Sequence, residues 1–192
     1  MSSIPSPHKL ILASASPRRK ELLQQAGIEF EVRPADILEI RKPGEPPLEY
    51  ALRLANEKAS AVANKFPDHL VLGADTIVVV DNEVLGKPLD REDASRMLAM
   101  LSGRTHRVIT AVSLAKYGVT GETQACATEV HFRKLEMGEI QEYIESGEPM
   151  DKAGAYAIQG GAAHWVTRLE GEYSNVVGLP MPLVAEMLSR FR

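Results

Sequence analysis

Residues 70–80, LVLGADTIVVV, form the longest apolar run of the chain and limit its fold more than any other stretch. Pro67 and Asp68 turn the chain into this run, and Asp81 with Asn82 reads as a hairpin tip returning through Val84 and Leu85. A run that is apolar at odd and even positions alike belongs to a strand covered on both faces. Strand and helix signals alternate around it. A short strand at Lys9–Ala13 leads into a helix stopped by Gly27, then a strand at Phe30–Arg33 and an acidic, proline-rich loop from Pro34 to Pro47. Leu48, Ala51, Leu52, Ala55, Ala59 and Val62 recur at helical spacing. A third helix, Arg91–Leu101, takes Asp90 as its cap and closes near Gly103. Two long strand-like segments, Arg107–Ala115 and Glu122–Arg133, are joined across Tyr117–Gly121 and should pair as antiparallel neighbours. A helix at Met137–Ser146, the glycine-rich stretch DKAGAYAIQGGAA, a strand at His164–Leu169 and a helix over Pro182–Phe191 follow. These signals give an α/β class with a mixed sheet.

A chain of 192 residues with 44% apolar content suits one domain spanning 1–192, built as two lobes sharing a cleft. The net charge of −4, with both signs interspersed, speaks against a nucleic-acid polymer as partner. A single cysteine, Cys126, leaves no internal disulfide and no cysteine-built zinc site, and it fits a reducing compartment. No stretch approaches the ~20 apolar residues that span a bilayer, and the first ten residues lack a signal-peptide core. The expectation is a soluble, cytoplasmic protein with no membrane partner. Neither the glycine fingerprint of a dinucleotide-binding unit nor GxxxxGK[ST] is present.

Candidate chemistry begins at SASPRR, where Ser16 can cap a helix whose first residue is Pro17. Arg18 and Arg19 then fall in the first turn, at the positive end of the helix dipole, where cations gain nothing from the dipole. An anion such as phosphate, held by guanidinium groups and free N–H groups, accounts for them; two solvated surface arginines are the alternative. Asp75 interrupts the apolar run, a costly place for a carboxylate unless it is paired or holds a metal. A structural ion pair is the competing reading. Thr76 puts a hydroxyl on the other face of the same strand, Lys87 sits in the tight turn GKP, and Lys58 interrupts the alanine-rich side of the second helix. Glu39 and Asp36 are loop acids that could supply metal ligands. Gln159, among small residues, offers an amide donor and acceptor side by side, matching the N3 and O4 edge of uracil or thymine. His106, at a strand entrance, reads as structural, and the other histidines are too scattered to form a ligand set.

In this order, SASPRRKELL, GADTIVV, GKPLD, LSGRTHRVIT, EPMDKAGAYAIQG and YSNVVGLP resemble the ordered blocks of the Maf family of nucleoside triphosphate pyrophosphatases, from residue 14 to residue 180. The resemblance implies the fold of the inosine triphosphate pyrophosphatases: an elongated mixed sheet with flanking helices around a central cleft. Arg18 after the SxSP pattern and the AYxIQG block resemble the branch acting on dTTP and UTP. The resemblance makes Asp75 the general base and Arg18, Thr76 and Gln159 specificity residues. It makes Ser16, Arg19, Lys58 and Lys87 phosphate ligands, and Asp75 with Glu39, or Asp36 in its place, ligands of a divalent cation, Mg²⁺ or Mn²⁺. The implied activity is hydrolysis of the triphosphate to the monophosphate and pyrophosphate, and a homodimer is compatible with it. A nucleotide-binding regulator of septum formation and a pyrophosphatase for modified nucleotides are the alternatives.

Overall fold

The computed structural model describes residues 9–116 and 119–191. The elements in chain order are β1 (Leu10–Leu12), α1 (Pro17–Gln25), β2 (Phe30–Val32), α2 (Pro47–Ala63), β3 (Leu70–Val80), β4 (Glu83–Leu85), α3 (Arg91–Leu101), β5 (Thr105–Lys116), β6 (Val119–Phe132), α4 (Met137–Glu145), β7 (Val166–Glu170), α5 (Tyr173–Val177) and α6 (Met181–Ser189). Short 3-10 turns lie between α4 and β7. The sheet runs β2-β1-β3-β5-β6-β7, with β4 also on β3. β1 is parallel to β2 and to β3, Leu10 pairing with Phe30 and with Leu70. β3 and β4 are antiparallel across Asp81 and Asn82, which both hold positive φ, 49° and 64°. That geometry suits a two-residue hairpin, and Asp and Asn tolerate it better than most residues. β6 and β7 are antiparallel, with Val130 opposite Leu169. The two long segments expected to pair are hydrogen-bonded neighbours, β5 and β6, and part of their join, residues 117 and 118, lies outside the described residues.

The chain divides into two compact units. The first comprises residues 1–75, 110–126 and 178–192. In it β1 is buried on both faces, which explains why LIL shows no alternation. Leu10 and Leu12 join Leu23, Leu70, Leu72, Val184 and Met187 on one side, and Ile11 and Ala13 join Ala59, Val62 and Val71 on the other. The buried stripe of α2, from Ala51 through Leu54, Ala55, Ala59 and Val62, is rich in small side chains. Gly73 of β3 completes this fit. A Cβ there would lie 2.4 Å from the Ala55 carbonyl oxygen and 2.7 Å from the Ala59 nitrogen, so only glycine lets strand and helix approach this closely.

The second unit comprises residues 76–109 and 127–177. Its core holds edge-to-face rings: Phe132 lies 4.8 Å from Tyr156 and 6.0 Å from Trp165, and Tyr143 lies 4.8 Å from Trp165. His106 is buried there with Nε2 2.7 Å from the Tyr156 hydroxyl, consistent with the structural role expected for it. Two expectations shift. β7 starts at Val166 because residues 163–165 form a 3-10 turn that buries Trp165, and the short helix α5 had no sequence signal strong enough to reveal it. Asn175 secures α5, its buried amide donating to the Val108 carbonyl at 2.9 Å and lying 3.0 Å from the Thr128 hydroxyl.

Candidate active site

In the first unit two of the sequence-selected carboxylates, Asp75 and Glu39, converge on one ammonium group. Lys58 projects from the buried face of α2, and its Nζ donates to Asp75 Oδ1 at 2.7 Å and lies 3.0 Å from Glu39 Oε1. Asp75 is 5% exposed, so the pair is buried, whereas Glu39 stands half in solvent. Between the two loop acids considered, Glu39 is the one that reaches Lys58. The other oxygen of Asp75, Oδ2, carries no protein hydrogen bond among the described residues. The local cause of this arrangement is the Gly73 contact, which sets α2 down on β3 one residue away from Lys58 and two from Asp75. The structural ion pair that competed with a functional Asp75 is therefore present, and it is made with another residue selected for the site.

The N-terminus of α1 supplies the arginines. Ser16 caps the helix as expected, accepting the Arg19 N–H. Arg19 turns inward: its Nε donates to the Gly178 carbonyl at 2.8 Å and its Nη1 to Ser14 Oγ at 3.0 Å. Burial pulls the Arg19 guanidinium below its ordinary range; the charge of Asp75 offsets part of this, Arg18 adds to it, and Glu39 opposes it. Arg18 is half-buried, and no hydrogen bond or ion pair of its side chain occurs among the described residues. A fixed guanidinium and an uncommitted one thus stand side by side at a helix N-terminus, a place suited to anions.

Three contributors to this cluster lacked a sequence signal. Ser14 Oγ accepts both the Ser16 N–H and Arg19, and so ties the loop to the helix. Tyr50 on α2 donates to the Glu39 carbonyl at 3.3 Å. Burial raises the Tyr50 phenol above its usual range, followed by the charges of Asp75 and Glu39. Arg53 anchors the acidic loop, reaching Glu45 at 2.6 Å, Glu57 at 3.1 Å and the Ile40 carbonyl at 3.0 Å. Its guanidinium holds the Glu45 carboxyl down at about 2. The Pro34–Pro47 loop was readable as acidic and proline-rich; the partner that fixes it, Arg53, lies eight residues past Glu45.

The remaining candidates belong to the second unit. Thr76 follows Asp75 in β3 and is half-buried. Lys87 is exposed in the turn after β4, and the Gly154 N–H donates to the Gly86 carbonyl at 3.0 Å, tying that turn to the glycine-rich stretch. Gly154 holds φ +70° and faces Val78, so a side chain there would be both strained and crowded. Gln159 is exposed on a turn and makes no hydrogen bond among the described residues. Among the described residues, ligand atoms of Glu129, His131 and Glu170 lie within 4.8 Å of one another, a group that contains one histidine and so leaves the scattered-histidine reading in place. Arg168, at 3.0 Å from Glu170, already balances charge there, and His131 Nε2 lies 3.2 Å from the same carboxylate.

Asp75 and Glu39 are the residues here that could hold a cation, two carboxylates that converge on the Lys58 nitrogen with an Asp75 oxygen to spare. No described helix is long and apolar enough to cross a membrane. Residues 9–191 match the Maf-like protein family. A dTTP/UTP pyrophosphatase of Koribacter versatilis is 54% identical over 182 residues, covering 94% of this chain and 93% of its own. Enzymes of the same name from Citrifermentans bemidjiense and Symbiobacterium thermophilum are 53% and 52% identical, over 93% and 95% of this chain and 93% and 94% of theirs. Among solved structures, a nucleoside-triphosphatase/dITP/XTP pyrophosphatase of Mycobacterium abscessus aligns over 66% of this chain and 75% of its own at 15% identity and a TM-score of 0.41, a likeness that carries no argument. With the family match spanning nearly every residue and these relatives alike over half their positions, the chain belongs to the Maf family.

Proposed function

We infer that the protein is a nucleoside triphosphate pyrophosphatase that hydrolyses dTTP and UTP to the monophosphate and pyrophosphate. The observation that carries this reading is the Lys58 ammonium held between Asp75 and Glu39, with the Arg18 and Arg19 pair at the start of α1 in the same unit. The relatives that share about half of the residues bear the name of that activity.

In the proposed mechanism Asp75 is the general base. Lys58 occupies Oδ1 and fixes the carboxylate, which leaves Oδ2 to accept a proton from water attacking the α-phosphorus. Arg18 and the pinned Arg19 bind phosphate oxygens, Ser16 orients the helix end behind them, and Lys87 contributes a further cation. Gln159 reads the N3 and O4 edge of the pyrimidine, and Thr76 assists in selecting it. Asp75 and Glu39 would hold a divalent cation, Mg²⁺ or Mn²⁺, which when bound neutralises phosphate charge. The test is pyrophosphate release from a panel of canonical and modified triphosphates. Turnover highest on dTTP and UTP supports the reading; a preference for modified nucleotides, or binding without turnover, overturns it.

A further inference from the structure

Gln159 stands on a turn that is held from both ends by two side chains outside it. On one side the Ala157 N–H donates to the Tyr143 hydroxyl at 3.1 Å. On the other the Gly161 N–H lies 3.2 Å from both carboxylate oxygens of Glu148. The clasp is closed by Tyr143 itself, whose hydroxyl donates to Glu148 Oε1 at 2.9 Å. Tyr143 comes from the buried face of α4 and Glu148 from the 3-10 turn that follows, so both rest on rigid elements. The fit is close. A Cβ on Gly160 would fall 1.8 Å from Glu148 Oε1, and one on Gly161 would lie 3.1 Å from the Tyr143 ring. The turn has one backbone bond of its own at this point, Gly160 N–H to the Ala157 carbonyl at 3.1 Å, and the next runs from Ala163 N–H to the Gly160 carbonyl at 3.0 Å. Just before it, Tyr156 is anchored through its hydroxyl to His106.

A primary amide discriminates bases only when its donor and acceptor are held in place, because a freely turning amide meets either pattern. Gln159 has no side-chain bond of its own among the described residues to do this, so its placement comes from the backbone beneath it. We propose that Glu148 and Tyr143 are positioning residues for base selection: their clasp on Ala157 and Gly161 fixes the backbone from which Gln159 meets the pyrimidine. This rests on the reading of Gln159 as the base reader.

The experiment compares kcat and KM for dTTP, UTP, dGTP and GTP in the wild type, Gln159→Ala, Glu148→Ala and the double variant, with thermal midpoints alongside. Glu148→Ala should raise KM for dTTP and UTP and lower their selectivity over the purine nucleotides by on the order of tenfold. In the Gln159→Ala background the same change should leave selectivity where it was. A loss equal for all four nucleotides, or one that persists in full without Gln159, makes the clasp merely structural and overturns the proposal. Should Glu148→Ala fail to fold, Tyr143→Phe keeps the ring and removes only the hydroxyl, while Glu148→Gln keeps one acceptor oxygen. Each should shift selectivity in the same direction by less, and unchanged selectivity in both overturns the proposal. If Gln159→Ala itself leaves the ranking of the nucleotides unaltered, the base-reader reading fails and the clasp proposal with it; if it changes the ranking and the clasp variants do not, only the proposal fails.

Discussion

In the proposed mechanism one residue pair, Lys58 and Asp75, serves stability and chemistry together. Both are buried, and their 2.7 Å hydrogen bond compensates a desolvation that neither charge could bear alone. Lys58→Met, which keeps the stem and deletes the charge, should destabilise the fold by about 3–5 kcal/mol in urea unfolding, because it leaves a buried carboxylate without its partner. Adding Asp75→Asn should recover part of that loss, and strict additivity of the two changes would show the pair to be uncoupled. His106 tests burial in the second unit. Burial, with the charge of His131 second, depresses its imidazole from 6.5 to about 3. Between those values the unfolded chain binds the proton and the folded chain does not. Stability from this group is therefore complete above about 6.5 and is lost as the pH falls toward 3, at up to about 1.4 kcal/mol per pH unit. The thermal midpoint of wild type should fall across this window more steeply than that of His106→Gln, and parallel profiles would remove His106 as the cause. Asp75 was legible in the sequence because a carboxylate in an apolar run advertises its cost. Ser14 and Tyr50 were not, since a serine in a loop and a tyrosine on a helix are ordinary until their partners are known.

The elements explain how distant residues meet. α2 carries Lys58 and β3 carries Asp75, and their approach depends on Gly73 facing Ala55 and Ala59. Gly73→Ala would drive a methyl group into helix backbone, so the helix must retreat, at a cost of about 1–3 kcal/mol or more. The Lys58 to Asp75 bond would lengthen with it. Turnover should fall beyond what the shift in unfolding midpoint accounts for, and a variant with wild-type kcat would show that this contact does not set the pair. Periodicity made α2, α3 and α4 legible, and the strand run made β3 legible, because each pattern reports a face that must be buried. α5 escaped because five residues give no period, and its hold on the fold comes from Asn175, Thr128 and Val108, which are far apart in the chain. The glycine-rich stretch was readable as irregular and close-packing, yet its clasp by Glu148 and Tyr143 depends on α4 and the turn after it, which no local pattern links to Gln159.

For the molecule as a whole, the blocks that drew attention in the sequence are dispersed over both units of the fold, and the blocks LSGRTHRVIT and YSNVVGLP each have residues in both. The class, α/β with a mixed sheet, followed from alternating signals, and the strand order came only with the structure, since β1 lies between β2 and β3 rather than at an edge. The central claim is that water, activated by Asp75, attacks the α-phosphorus of dTTP or UTP. Its most direct test is hydrolysis in heavy-oxygen water, with the label located in the products by mass spectrometry for wild type and Asp75→Asn. The account predicts label in the nucleoside monophosphate and none in pyrophosphate, with turnover of the variant lower by roughly 10²–10⁴. Label in pyrophosphate or in free phosphate, or an Asn variant that turns over like wild type, would contradict it.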